Sequence, residues 1–142
     1  MFDSSHLHPM LVHFPIALTM VGALFEIVRF FFNKTRTKCS CGELILYLAT
    51  ASAVLALLSG FLFTSSFSGK PLEVKNLHQL LAIASTVVLC MASFFYLLNS
   101  FGKQNRKIFH ITGLLLYAFS VLLIGGTGFM GGNLVYTYMI GL

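Results

Sequence analysis

The sequence HPMLVHFPIAL at residues 8–18 opens the first long apolar run of the chain and places two histidines and two prolines inside it. A polar ring in a hydrocarbon environment costs free energy unless another group bonds to it. An apolar helix therefore does not by itself explain His8 and His13. Their partners are the main question that the sequence raises.

The composition predicts a membrane protein. Of the 142 residues, 57% are hydrophobic and only 9% are charged, a balance far from that of soluble domains. A helix that crosses a bilayer needs about 20 mostly apolar residues. Such stretches lie at about residues 9–32, 43–64, 76–98 and 108–129, and a C-terminal tail follows at 130–142. Because the connections are short, we expect one all-α integral membrane domain in the lipid bilayer, a four-helix up-and-down bundle.

The basic residues predict the orientation of this bundle. Two lysines, Lys70 and Lys75, flank the second connection, and the other basic residues flank the first and third: Arg29, Lys34, Arg36, Lys38, Lys103, Arg106 and Lys107. Short loops rich in lysine and arginine stay in the cytoplasm. We therefore expect the N and C termini on the outer side of a bacterial inner (cytoplasmic) membrane, periplasmic or extracellular. The net charge of +5 is explained in this way, and no nucleic-acid partner is expected.

Two histidines on different predicted helices share the outer leaflet. His13 lies roughly one turn into the first helix, and His78 opens the third. A b-type haem needs one axial imidazole on each side of its macrocycle. The sequence therefore predicts haem binding by His13 and His78, with His8 supporting one of them or replacing it. This predicts an electron carrier rather than a stand-alone enzyme.

Other groups near this depth fit the same hypothesis. Phe14, Met20 and the glycine-rich run 125–132 are candidate walls for a flat ligand, and Lys70 and Lys75 are candidate partners for its propionates.

Three alternatives use the same histidines. Zinc or copper prefers imidazole ligands, which His8, His13 and His78 would supply. A histidine at the membrane surface can instead hydrogen-bond a quinone carbonyl. In a cofactor-free structural or accessory subunit, backbone carbonyls and neighbouring histidines would satisfy the rings.

Glu26 is the other residue whose burial in the membrane costs free energy, because it lies within the half of the first helix nearer the cytoplasm. Arg29 follows one turn later, so an ion pair between them is expected. A proton or cation relay from Glu26 to His110 is the alternative, and it would make the protein a transport component. No nucleophile-and-base pair, carboxylate dyad or internal repeat is evident, so hydrolytic catalysis is not expected.

Residues 8–18, the single histidine that opens the third helix and the closing sequence GGNLVY at 131–136 together resemble a bacterial family of small four-helix membrane proteins, catalogued as domain of unknown function number 2231. The resemblance covers nearly the whole chain and implies that His8, Pro9, His13 and His78 are family positions. Related domains occur fused to Rieske-type iron–sulfur or c-type cytochrome modules. The resemblance therefore implies an electron-transfer setting, in which a respiratory or redox protein is the partner.

Overall fold

The computed structural model of the protein describes residues 7–32, 41–63, 69–101 and 106–138, and these form four helices. They are α1 (Leu7–Phe32), α2 (Cys41–Phe63), α3 (Lys70–Phe101) and α4 (Arg106–Tyr138). Each is long and apolar enough to cross a membrane. In lipid the backbone has no water to bond with, so a helix satisfies its amides internally, and α1 continues through Pro15. The predicted all-α four-helix membrane bundle is confirmed.

Two of the helices are longer than the hydropathy pattern predicts. α3 begins at Lys70 rather than near Asn76, because Gly69 takes a positive φ of 72° before it and Pro71 fits a first helical turn. α4 continues to Tyr138, so the prediction of a tail was wrong for residues 130–138. Residues 139–142 of that predicted tail lie outside the described residues. The glycines at 125–132 remain helical because membrane-embedded amides still need helical partners.

The bundle consists of two antiparallel hairpins. The most extensive contacts join α1 to α2 and α3 to α4, whereas α1–α4 and α2–α3 form smaller interfaces. The core is built from small residues and a few large ones, chiefly Ala23, Leu46, Ala53, Leu89, Ala92, Tyr96, Tyr117 and Ile124. Small residues let membrane helices approach closely. Phenylalanines and leucines cover the outside, as lipid contact requires.

The two ends of the bundle carry different polar residues. The histidine end holds the start of α1 and α3 and the end of α2 and α4, with His8 and His78. The glutamate end holds the opposite helix termini, with Glu26 and Glu43.

Candidate functional site

At the histidine end, the rings of His8 and His78 face one another across the bundle. Their centroids are 6.4 Å apart, and their planes are inclined by 79°. His8 comes from α1 and His78 from α3, so each hairpin contributes one ring. Both side chains are half-buried.

The hydrogen bonds of the two rings define their tautomers. His78 Nδ1 lies 2.9 Å from the Thr127 carbonyl oxygen, which can only accept. His8 Nδ1 lies 2.9 Å from Ser59 Oγ, and this hydroxyl donates its own proton to the Ala56 carbonyl. Nδ1 is therefore the donor in both rings, which leaves the lone pair of each ring on Nε2. Metal-ligating histidines usually have this arrangement.

Glycines on the second helix of each hairpin make room for the rings. A β-carbon on Gly60 would lie 3.0 Å from His8 Cε1, and one on Gly131 would lie 3.1 Å from His78 Cε1. Such distances are shorter than ordinary van der Waals contacts between carbon atoms. Glycine at these positions lets α2 and α4 pack directly against the imidazoles.

His13 is not the histidine that meets His78, which corrects the predicted juxtaposition of these two rings. His13 is exposed, and its Nδ1 donates to the Pro9 carbonyl of its own helix at 2.7 Å. The reason is helical phase: His13 follows His8 by five positions, which turns it about 140° around α1. When His8 faces the other hairpin, His13 faces outward.

The predicted walls of the ligand site are only partly brought to the histidine pair. Phe14 and Met20 are exposed on the outside of the bundle, and Lys70 is exposed at the start of α3. Lys75 is half-buried on the first turns of α3 at the histidine end. The glycine-rich part of α4 does reach the site, through Gly131.

A shallow groove of about 360 Å³ lies on α4 near this end. Its lining residues are Phe129, Gly132, Asn133 and Tyr136, all from one helix. Neither histidine of the pair lines it, so we assign the groove no role.

The glutamate end contains a second polar cluster, around Glu26. This side chain is fully buried, and one of its carboxylate oxygens lies 3.3 Å from Arg29 Nη1, which confirms the predicted ion pair. Tyr96 Oη donates to Glu26 Oε2 at 3.0 Å. His110 Nε2 lies 3.8 Å from the same oxygen, so the predicted proximity of Glu26 and His110 is also confirmed.

A second carboxylate, that of Glu43, is buried in the same region, and the sequence interpretation missed it. It accepts hydrogen bonds from Tyr47 Oη at 3.1 Å and Ser100 Oγ at 3.0 Å. Its neighbour Gly42 packs against Glu26, where a β-carbon would lie 2.7 Å from Glu26 Cγ. Glu43 was overlooked because an acidic residue at the start of a span resembles a hydrated helix end. Tyr47, one turn after Glu43, was the feature of the sequence that could have indicated a buried, hydrogen-bonded carboxylate.

Among the described residues, no group of three or more histidine, cysteine, aspartate or glutamate side chains is arranged to hold a metal ion.

The family model described as "Predicted membrane protein (DUF2231)" matches residues 4–142 of this chain. The chain belongs to the DUF2231 family. No curated protein and no solved structure matches it. The family description agrees with the four spanning helices and makes this DUF2231 protein a multi-pass membrane protein.

Proposed function

We propose that this DUF2231 protein binds one b-type haem at the histidine end, with His8 and His78 as the axial ligands, and that it carries electrons or serves as a subunit of a redox complex. The observation that carries this proposal is the ring separation of 6.4 Å. Metal–imidazole bonds are about 2.0 Å long and the ligating nitrogen lies about 1.1 Å from the ring centroid, so two imidazoles on opposite sides of one ion have centroids about 6.2 Å apart.

The number of ligands favours haem over zinc or copper. A protein site for bare zinc needs three or four side chains. Haem iron takes four nitrogens from the macrocycle and only two from the protein. The described residues offer His8 and His78 and no larger ligand group nearby. The pair therefore fits haem iron better than a bare zinc or copper ion.

A haem bound here would supply a reversible one-electron centre. The chain's own residues would set its properties. Ser59 and the Thr127 carbonyl hold the Nδ1 protons, which fixes both rings and makes each Nε2 a stronger ligand. Burial of the haem among the apolar helices around the pair would be one of the factors that tune its potential.

The location of the site suggests its partner. The distribution of basic residues favours an orientation with both termini, and hence the histidine end, on the periplasmic or extracellular face. A Rieske-type protein or a c-type cytochrome on that face is the expected electron partner. Lys75, near the pair on α3, is a candidate contact for a haem propionate.

One observation favours a second candidate, a cofactor-free accessory subunit. Each histidine already has a hydrogen-bond partner within its own hairpin, Ser59 for His8 and the Thr127 carbonyl for His78. Buried polar groups that are satisfied in this way need no ligand.

A reduced-minus-oxidised visible spectrum of the purified protein, expressed with ample haem, separates the two candidates. We expect a b-type spectrum that is lost in His8→Ala and in His78→Ala. His13→Ala is the matched control, because this ring is exposed and bonds only to its own helix; it should keep the spectrum. A featureless spectrum of the native protein would reject the haem proposal, and a spectrum that depends on His13 but not on His8 would reject the ligand assignment.

A further inference from the structure

Residues at equivalent positions of the two hairpins correspond to one another, although no internal repeat is evident in the sequence. Residues of α1 and α3 correspond at an offset of 70, and residues of α2 and α4 at an offset of 71. The corresponding pairs at key positions are His8 and His78, Glu26 and Tyr96, Gly42 and Gly113, and Gly60 and Gly131.

Burial follows the same correspondence. The buried residues of α1 are Pro15, Thr19, Gly22, Ala23 and Glu26, and their counterparts Ser85, Leu89, Ala92, Ser93 and Tyr96 are all buried in α3. In α2 and α4, the buried Gly42, Leu46, Ala49 and Ala53 correspond to the buried Gly113, Tyr117, Ser120 and Ile124. The other buried residues of α2, Glu43, Ala56 and Ser59, correspond to half-buried residues of α4.

Contacts repeat as well. Gly113 packs against Tyr96, just as Gly42 packs against Glu26. A β-carbon on Gly113 would lie 2.9 Å from Tyr96 Cδ2. Corresponding residues also touch each other between the hairpins, His8 with His78 and Glu26 with Tyr96. Residues meet their own counterparts only near an axis of symmetry. A pseudo-twofold axis therefore runs along the bundle, through both pairs.

The two equivalent interfaces depart from this symmetry in the polar groups that they carry. The α1–α4 interface corresponds to the α3–α2 interface. The α1 residues at corresponding positions differ from those of α3: Thr19 from Leu89, Gly22 from Ala92, Glu26 from Tyr96 and Arg29 from Asn99. In the second helix of each hairpin, Tyr117 of α4 corresponds to Leu46 of α2. The α1–α4 interface thus carries a buried carboxylate and a tyrosine hydroxyl at positions where the α2–α3 interface has Tyr96 and Leu46.

The hydroxyl groups of the two interfaces also differ in their bonding. In the α2–α3 interface, Thr50 Oγ1 and Ser93 Oγ bond to each other at 2.8 Å. In the α1–α4 interface, Thr19 Oγ1 and Tyr117 Oη are fully buried and have no hydrogen-bond partner among the described residues. Unsatisfied buried hydroxyls cost free energy, and internal water molecules are the usual way to satisfy them.

These two hydroxyls are in line with the buried carboxylate. Tyr117 Oη fills the space that a side chain at Gly22 would take. Thr19, Gly22 and Glu26 are three and four residues apart, so they share one face of α1 over about 10 Å. A line of polar groups therefore runs from Thr19 past the Tyr117 hydroxyl to Glu26.

We propose that Glu26, Tyr117 and Thr19 form a proton-binding site in the α1–α4 interface, with ordered water between the hydroxyls and with Glu26 as the group that takes up the proton. Within the described part of the chain, the ionisable neighbours come from all four helices. They are Arg29 on α1, Glu43 with Tyr47 on α2, Tyr96 on α3, and His110 with Tyr117 on α4. His110, at 3.8 Å, is the group from which a proton would reach the carboxylate. This site does not depend on haem binding.

Infrared difference spectroscopy of the full chain in lipid vesicles tests the site. On acidification we expect the carbonyl-stretch band of a protonated buried carboxyl group, and its loss in Glu26→Gln. Tyr117→Phe removes a hydroxyl, and Thr19→Val replaces one by a methyl group. Each should shift the titration midpoint of that band by about one pH unit and abolish the bands of the ordered water. Thr50→Val is the matched control, because its hydroxyl lies in the equivalent α2–α3 interface and already has a partner.

Two results would overturn the site. One is a pH titration without any band that depends on Glu26. The other is a midpoint shift in Thr50→Val as large as those in Tyr117→Phe and Thr19→Val. Should Glu26→Gln fail to fold, as judged by circular dichroism, Glu26→Asp keeps a carboxyl group and must move the midpoint. An unchanged midpoint in that variant would also reject the proposal.

Discussion

The same pseudo-twofold axis passes through both ends of the bundle, but the residues that meet on it are identical at one end and different at the other. At the histidine end the paired residues are identical, His8 with His78, and each packs on a glycine of its own hairpin. At the glutamate end the paired residues differ, because Glu26 faces Tyr96. A symmetric pair suits a ligand that takes the same group from both sides, as haem iron does. An asymmetric pair avoids placing two carboxylates on the axis.

The largest effect is expected when symmetry is imposed on the glutamate end. Tyr96→Glu would put two carboxylates face to face and remove the hydroxyl that donates to Glu26. Uncompensated buried charge is expected to lower the free energy of unfolding by about 3–5 kcal/mol. Unfolding in mixed detergent micelles measures this. Tyr96→Phe is the control, with an expected loss of about 1–3 kcal/mol. Equal stability of Tyr96→Glu and the native protein would show that the asymmetry has no structural consequence.

A smaller and symmetric effect is expected from methyl groups at the histidine end. Gly60→Ala and Gly131→Ala each place a β-carbon 3.0–3.1 Å from an imidazole carbon. Overpacking of this kind lowers the free energy of unfolding by about 1–3 kcal/mol. Because the two sites are equivalent, the two variants should lose haem affinity to a similar extent. Haem titration followed by absorbance gives the affinities. Gly132→Ala faces open space and should bind as the native protein does. A large loss in only one of the two variants would break the proposed equivalence.

The smallest effect concerns the partners of the Nδ1 atoms. Ser59→Ala removes the acceptor of His8 Nδ1 and is expected to lower haem affinity about tenfold. Thr127→Val is the matched change in the other hairpin. It should have little effect, because the Thr127 hydroxyl bonds to the Leu123 carbonyl and His78 uses only the backbone oxygen. A tenfold loss in Thr127→Val together with native affinity in Ser59→Ala would contradict these assignments.

The sequence predicts the number of helices and their approximate positions, because the length of an apolar run follows directly from the thickness of a bilayer. It does not predict which face of each helix points inward. The spans are apolar on all sides, so no amphipathic stripe distinguishes the phase of His8 from that of His13. The sequence therefore predicted that His78 meets a histidine of the first helix but named His13, whereas His8 is the one that lies beside it.

The glutamate end was only partly predictable for a related reason. The ion pair of Glu26 with Arg29 follows from local spacing, whereas the bonds from Tyr96 and the proximity of Glu43 depend on contacts between helices distant in sequence. The correspondence of the two hairpins was hidden because apolar residues replace one another freely in a membrane helix. The equal spacing of Gly42 to Gly60 and of Gly113 to Gly131 was the signal that could have revealed it.

Electron paramagnetic resonance of the oxidised, haem-loaded protein tests the central claim most directly. His8 and His78 have ring planes inclined by 79°, each held by its Nδ1 hydrogen bond. Two nearly perpendicular axial imidazoles give low-spin ferric haem a highly anisotropic signal. We predict this signal in the native protein and in His13→Ala, and its loss in His8→Ala and His78→Ala. A high-spin signal in the native protein, or a low-spin signal that survives removal of either His8 or His78, would contradict a haem held between the two hairpins.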